Sequence, residues 1–97
     1  MPPRISIILP ARDAASTLAA AVESLRRQSI PDWELLIVDD GSADETPLVA
    51  RRFEETDPRI RLLQPGRVGL VEALRTGGVA ARGEHLARID ADDIAHP

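Results

Sequence analysis

Short apolar runs alternate along this chain with segments whose apolar residues recur at helical spacing, and few folds accommodate that alternation. Ile5-Ser6-Ile7-Ile8-Leu9 is apolar and β-branched, and Pro10 ends it. It predicts a buried strand over 5–9. Leu18, Val22 and Leu25 then fall at helical spacing, with Glu23, Arg26 and Arg27 facing out. Ser16 or Thr17 is the expected cap and Pro31 the expected stop. Trp33-Glu34-Leu35-Leu36-Ile37-Val38 is nearly continuous in apolar character, as suits a parallel strand covered on both faces. Asp39-Asp40-Gly41-Ser42 reads as a turn. Thr46-Pro47 opens a second helix, with proline at the first helical position. Val49 and Phe53 give it an inner stripe, and Asp57-Pro58 breaks it.

Ile60-Arg61-Leu62-Leu63 is a short third strand, followed by a loop punctuated by Pro65-Gly66 and Gly69. Leu70, Ala73, Leu74, Gly77 and Ala81 line one face of a third helix. Gly77-Gly78 weakens that helix, which predicts close packing against a neighbour. Gly83 is its expected C-cap. His85 to Ile89 is a fourth strand, with Asp90-Ala91-Asp92-Asp93 at its end. The order βαβαβαβ predicts an α/β, Rossmann-like three-layer sandwich on a mainly parallel sheet with right-handed crossovers.

At 97 residues the chain is one domain or part of one. Trp33 and Phe53 are its two aromatics, so the core is aliphatic. The net charge of −4 argues against a nucleic-acid partner, and with no cysteine there is neither a disulfide nor a thiolate metal site. Met1-Pro2-Pro3-Arg4 leads directly into a strand with no signal peptide. No apolar run approaches a membrane span of about 20 residues. The expectation is a cytoplasmic protein, with membrane association of a longer protein left open.

Ligands of open parallel sheets bind outside the carboxyl ends of the strands. Acidic residues gather at those ends here. Asp13 follows the first strand, Asp39 and Asp40 the second, and Asp90, Asp92 and Asp93 the fourth. Carboxylates packed together repel unless a cation joins them. Mg²⁺ or Mn²⁺ is often held by one or two carboxylates plus substrate phosphates. A nucleoside diphosphate derivative with its metal is the ligand this pattern points to.

Four stretches resemble glycosyltransferase family 2, enzymes of the GT-A fold. They are Ile5 to Ala11, Trp33 to Ser42, Ala80 to Glu84, and Asp90-Ala91-Asp92-Asp93 with Pro97. They occur in the family's order and spacing and cover nearly the whole chain. The resemblance implies that residues 1–97 are the N-terminal nucleotide-sugar-binding part of a truncated domain. Asp39 would read the base of a uridine-type nucleotide beside the loop Pro10-Ala11-Arg12. Arg75 would lie near the nucleotide, Asp90 and Ala91 at the ribose or metal shell, and Asp92 would bind Mn²⁺ or Mg²⁺. The family usually has an aromatic residue where Arg12 stands, Asn where Asp13 stands and Asn where Thr76 stands. The implied reaction is inverting transfer from a nucleotide-diphosphate sugar, a UDP-sugar by resemblance, to a saccharide, lipid or protein acceptor. Its catalytic base is expected beyond Pro97.

Blander readings stand beside these. The two acidic motifs also suit polar turns, and Asp13 suits a helix entry. Arg88, read as lying on a central strand, serves either to neutralise acids or to contact phosphate. Arg75 is either solvated or at the nucleotide. His85 and His96 read as structural or exposed. A nicotinamide-binding Rossmann domain would need G-x-G-x-x-G after the first strand, where Pro10-Ala11-Arg12-Asp13-Ala14-Ala15-Ser16 stands instead. A phosphotransfer receiver or phosphatase would carry its Asp pair on the first strand. A non-catalytic nucleotide-binding fragment is the remaining alternative, with self-association through the exposed edge of the fourth strand.

Overall fold

The computed structural model describes residues 3–29 and 32–90. Its elements are β1 (Ile5–Ala11), α1 (Ala15–Arg26), β2 (Trp33–Asp39), α2 (Thr46–Thr56), β3 (Ile60–Leu63), α3 (Leu70–Ala80) and β4 (His85–Arg88). The strands form one parallel sheet in the order β3-β2-β1-β4. The chain starts near the middle, steps outward twice, then crosses back to the far side of β1.

That reversal sorts the helices. Ile7, Leu9, Leu35 and Ile37 pack with Leu18, Val22, Leu25 and Ala50 of α1 and α2. Ile8, Leu36 and Val38 pack on Ala73 of α3 across the other face. Alternate residues of β1 and β2 thus feed two separate cores, which is why β2 reads as an unbroken apolar run. Burying each large aliphatic side chain contributes about 1.5–3 kcal/mol. Gly77 lets α3 come close: a Cβ there would lie 2.7 Å from Ile8 Cγ2.

The structure corrects several expectations. Pro10 lies inside β1, opposite Val38, and does not end it. Ile8 accepts a hydrogen bond from Ile89, so alternate residues of β1 turn their polar groups toward β4. Among the described residues the β4 ladder pairs as far as Ile8 with Arg88, and Pro10 lies beyond those pairs, where its missing N–H breaks none of them. Neither Ser16 nor Thr17 caps α1, which begins at Ala15 after Ala14 without a local side-chain cap. Gly83 is not a C-cap, because α3 ends at Ala80 and Ala81 is already extended. What Gly83 provides is room: a Cβ would meet the Ser6 backbone N and Oγ, both at 2.7 Å. Arg88 lies on β4, an exposed edge strand among the described residues rather than a central one. Pro31, the expected stop of α1, falls outside the described residues, as do Ala91, Asp92, Asp93 and His96.

Candidate functional site at the carboxyl edge of the sheet

Residue pairing across β1 and β2 puts Ala11 beside Asp39, so Pro10-Ala11-Arg12 runs alongside the Asp39-Asp40 turn. Asp40 donates its N–H to the Ala11 carbonyl at 2.8 Å, extending the ladder by one bond. On the other flank, Arg88 pairs with Ile8, so two residues on Asp90 comes level with Pro10. Asp39 and Asp90 therefore stand on either side of the end of β1, beside the crevice where strand order reverses.

The Asp39 side chain lies in a residue only 5% exposed. Its Oδ1 accepts the N–H of Ser42 at 3.2 Å and the Ser42 hydroxyl. Its Oδ2 accepts no hydrogen bond from a described residue. Asp40, also buried, turns the other way. Its Oδ1 accepts the N–H groups of Val68 at 2.7 Å and Gly69 at 2.9 Å, tying the β3–α3 loop to the end of β2. Gly41 has φ +70°, and a Cβ there would meet Arg67 Cβ at 2.6 Å and its Cα at 2.8 Å. The turn thus needs glycine twice, for its backbone angle and for the loop pressed onto it.

Asp13 sits at the entry to α1 with φ 50°. Its Oδ1 accepts the Ala43 N–H at 2.7 Å and the Asp44 N–H at 3.3 Å, while its own N–H donates to Ser42 Oγ. Ala14 N–H donates to Thr46 Oγ1 at 2.8 Å and Ala15 N–H to Asp44 Oδ2 at 3.2 Å. The free amides at the start of α1 are thus satisfied by the loop leading into α2. Asp44 also accepts from the Thr46 hydroxyl and N–H, which together hold its carboxyl below the ordinary range. Sequence reading did not assign Ser42, Asp44 and Thr46 these roles, because the partner amides lie about thirty residues away.

Arg12 is exposed. Arg75 is exposed too, its guanidinium 3.9 Å from Glu72 on its own helix, with no hydrogen bond or ion pair to the Asp39 turn. The Asp90 carboxylate is half exposed and pairs with Arg88 at 2.9 Å. Ala91 and Asp92 lie outside the described residues. Among the described residues no three His, Cys, Asp or Glu side chains converge as a metal site. Oxygen donors such as Asp90 are nevertheless the type that Mg²⁺ and Mn²⁺ select.

The stretch Ala80 to Glu84 has a different place. Glu34 is 3% exposed at the amino end of β2. It accepts the Ser6 hydroxyl at 2.6 Å and the Arg82 N–H at 2.6 Å, and Ser6 Oγ in turn accepts the Gly83 N–H at 2.7 Å. Burial pushes the Glu34 carboxyl up, but these hydrogen bonds and the Arg61 and Arg82 charges outweigh it and hold it below the ordinary range. This network pins the α3–β4 connection at the end of the sheet away from Asp39. A lone glutamate inside an apolar strand was the available signal, since a buried carboxylate demands partners. A concavity of about 790 Å³ lies at that same end, lined by Arg4, Trp33, Glu34, Arg59 and Arg82. It is open and remote from the carboxyl edge, and does not mark the ligand site expected of this fold.

A mainly parallel sheet between helix layers, with its acidic turns at the carboxyl edge, is the architecture of the GT-A glycosyltransferases. Residues 6–97 match the model of glycosyl transferase family 2, and the chain belongs to that family. It is 36% identical over 93 residues to the uncharacterized glycosyltransferase EpsJ of Bacillus subtilis (strain 168), covering 96% of this chain and 27% of the relative. The mannosyltransferase PcManGT from Pyrobaculum calidifontis, solved with GDP-Man and Mn²⁺, superposes with a TM-score of 0.85 at 32% identity, over 95% of this chain and 28% of that one. Glucosyl-3-phosphoglycerate synthase from Mycobacterium tuberculosis, solved with Mn²⁺, UDP and glucosyl-3-phosphoglycerate, gives 0.75 at 26% identity, over 92% and 33%. The chain thus spans about a third or less of the proteins it resembles.

Proposed function

We propose that this chain forms the nucleotide-sugar-binding part of a metal-dependent, inverting glycosyltransferase that uses a UDP-sugar. The observation that carries this reading is the placing of Asp39 and Asp90 on either side of the end of β1, at the switch in strand order. Asp39 would accept the ring N–H of the base through Oδ2, held in orientation by Ser42. Pro10, Ala11 and Arg12 would flank the base, with Arg12 contributing cation–π contact or a phosphate contact. Asp90, Ala91 and Asp92 would receive the ribose and a Mn²⁺ or Mg²⁺ ion, with Asp92 as direct ligand. An ion held there would supply positive charge to offset that of the departing diphosphate. Arg75 is a candidate second cation near the nucleotide. None of residues 1–97 would serve as the catalytic base, and the acceptor would be a saccharide, a lipid or a protein.

Calorimetric titration of UDP with Mn²⁺ and with EDTA tests this. Binding is expected with the metal and lost in EDTA, in Asp39→Ala and in Asp92→Ala. A folded chain that binds no UDP with Mn²⁺ would overturn the reading.

A further inference from the structure

The strand that carries Asp90 to the ligand edge is lightly held. β4 pairs with β1 from Ile5 with His85 to Ile8 with Arg88, and all four of its residues are exposed. Ile89, the next residue, packs partly against the core on the α1 and α2 face. Register is firmly set where one face of a strand is buried and weakly set where neither is. A slip of two residues would keep every side chain on its own face and carry Asp90 about 7 Å along β1.

The connection ahead of β4 supplies the hold that the strand lacks. Glu34 Oε2 accepts both the Arg82 N–H and the Ser6 hydroxyl at 2.6 Å, and Ser6 Oγ accepts the Gly83 N–H at 2.7 Å. Two consecutive amides are thereby tied to side chains of β2 and β1. From β3, Arg61 Nη2 donates to the Ala80 carbonyl at 2.7 Å, with its Nε 4.0 Å from Glu34 Oε1. One buried carboxylate thus joins three strands to the segment between α3 and β4. Buried ionic groups add little net stability over apolar replacements, and their best-attested use is to fix register. Ser6 lies level with Glu34 and with Leu86. Asp90 is four residues beyond Leu86, about 13 Å further along the sheet.

We infer that Glu34 is a positioning residue: through Ser6, Arg82 and Gly83 it fixes the register of β4 and so the place of Asp90 beside the end of β1. Its effect on ligand rests on the reading of the Asp90 edge as the nucleotide and metal site. Its effect on β4 does not.

Two measurements test this on the 97-residue chain: calorimetric titration of UDP with Mn²⁺, and hydrogen exchange at the Ile89 amide, which donates to Ile8 at 3.1 Å. In Glu34→Ala and Ser6→Ala, UDP affinity is expected to fall about tenfold or more, as when reacting groups are misplaced from a distance, and Ile89 to exchange faster. Ser6→Ala carries the test should Glu34→Ala fail to fold. Glu34→Gln keeps an oxygen able to accept both the Arg82 N–H and the Ser6 hydroxyl, and should recover most of the loss. Asp57→Asn, which weakens bonds to Arg26 and Arg59 and none to β4, should keep its UDP affinity although less stable. Ser6→Ala with affinity and Ile89 exchange both unchanged would overturn the inference. So would an equal loss of affinity in Asp57→Asn, which would reduce the effect to general destabilisation. If the parent chain binds no UDP, the ligand reading fails by itself. Ile89 exchange then decides the role of Glu34, and protection retained in Ser6→Ala would refute it.

Discussion

Ile8 occupies the space where a side chain at Gly77 would begin. Its Cγ2 is 2.7 Å from the ideal Cβ position, and as a β-branched residue on a central strand it has little freedom to turn away. Gly78, the next residue, has nothing within 4 Å of its ideal Cβ. The pair therefore separates two effects that usually mix. Alanine in place of glycine in a helix gains about 0.8–1 kcal/mol. Overpacking a core costs about 1–3 kcal/mol. Gly78→Ala is expected to raise stability toward the first figure, and Gly77→Ala to lower it by up to about 2 kcal/mol once the two oppose. Urea unfolding of both variants measures this. A stabilised Gly77→Ala would show that α3 does not rest on Ile8.

At the scale of elements, the joins matter more than the helices and strands. Asp57, at the end of α2, is 4% exposed and binds Arg59 at 2.9 Å and Arg26 of α1 at 3.3 Å. The hydrogen bond from Arg59 leads in holding its carboxyl below the ordinary 3.8, against the opposing effect of burial. The same bond holds the Arg59 guanidinium above its ordinary value. A carboxyl depressed on folding adds stability that is complete above its unfolded value and lost as pH falls through the folded one. The chain should hold its stability at neutral pH and lose some below about pH 4. Asp57→Asn should cost about 2 kcal/mol at pH 7 and flatten that acid limb. Denaturant midpoints between pH 7 and 3 decide the matter, and an unchanged acid slope in Asp57→Asn would refute it.

The elements themselves were legible in the sequence, because apolar period and turn residues are local signals. Thr46-Pro47 opens α2 as read, and β3 spans Ile60–Leu63 as read. The joins were not legible. Amides at the start of α1 are satisfied from a loop about thirty residues away, and Gly83 is small because of Ser6, 77 residues earlier. Such pairings exist only once the sheet has formed. The candidate site divides similarly. The Asp39 edge follows from strand order, whereas the roles of Asp40 and Gly41 in seating Arg67 required coordinates.

For the molecule as a whole, β4 is an open edge of the sheet among the described residues. Every one of its residues is exposed, and Leu86 is 60% exposed. His85 and Ile89 donate to β1, so the polar backbone groups of Leu86 and Arg88 face outward. An antiparallel copy centred on Leu86 would set Glu84 opposite Arg88 twice. Opposite charges across a strand pair favour that register. The chain alone is therefore expected to self-associate as its concentration rises, and Leu86→Lys to suppress this. Sedimentation velocity across a hundredfold concentration series checks it, and a monomer throughout would count against the pairing.

Trp33 is the chain's one tryptophan, there is no tyrosine, and its ring is buried under Arg59 at 3.9 Å. It begins the strand that Asp39 ends, about 20 Å away at the usual rise per residue. The protein therefore carries its own optical probe, insulated from the ligand edge. Emission excited at the indole should follow unfolding faithfully and remain nearly silent to nucleotide. A fluorescence change on adding ligand would then signal strain carried along the whole length of β2.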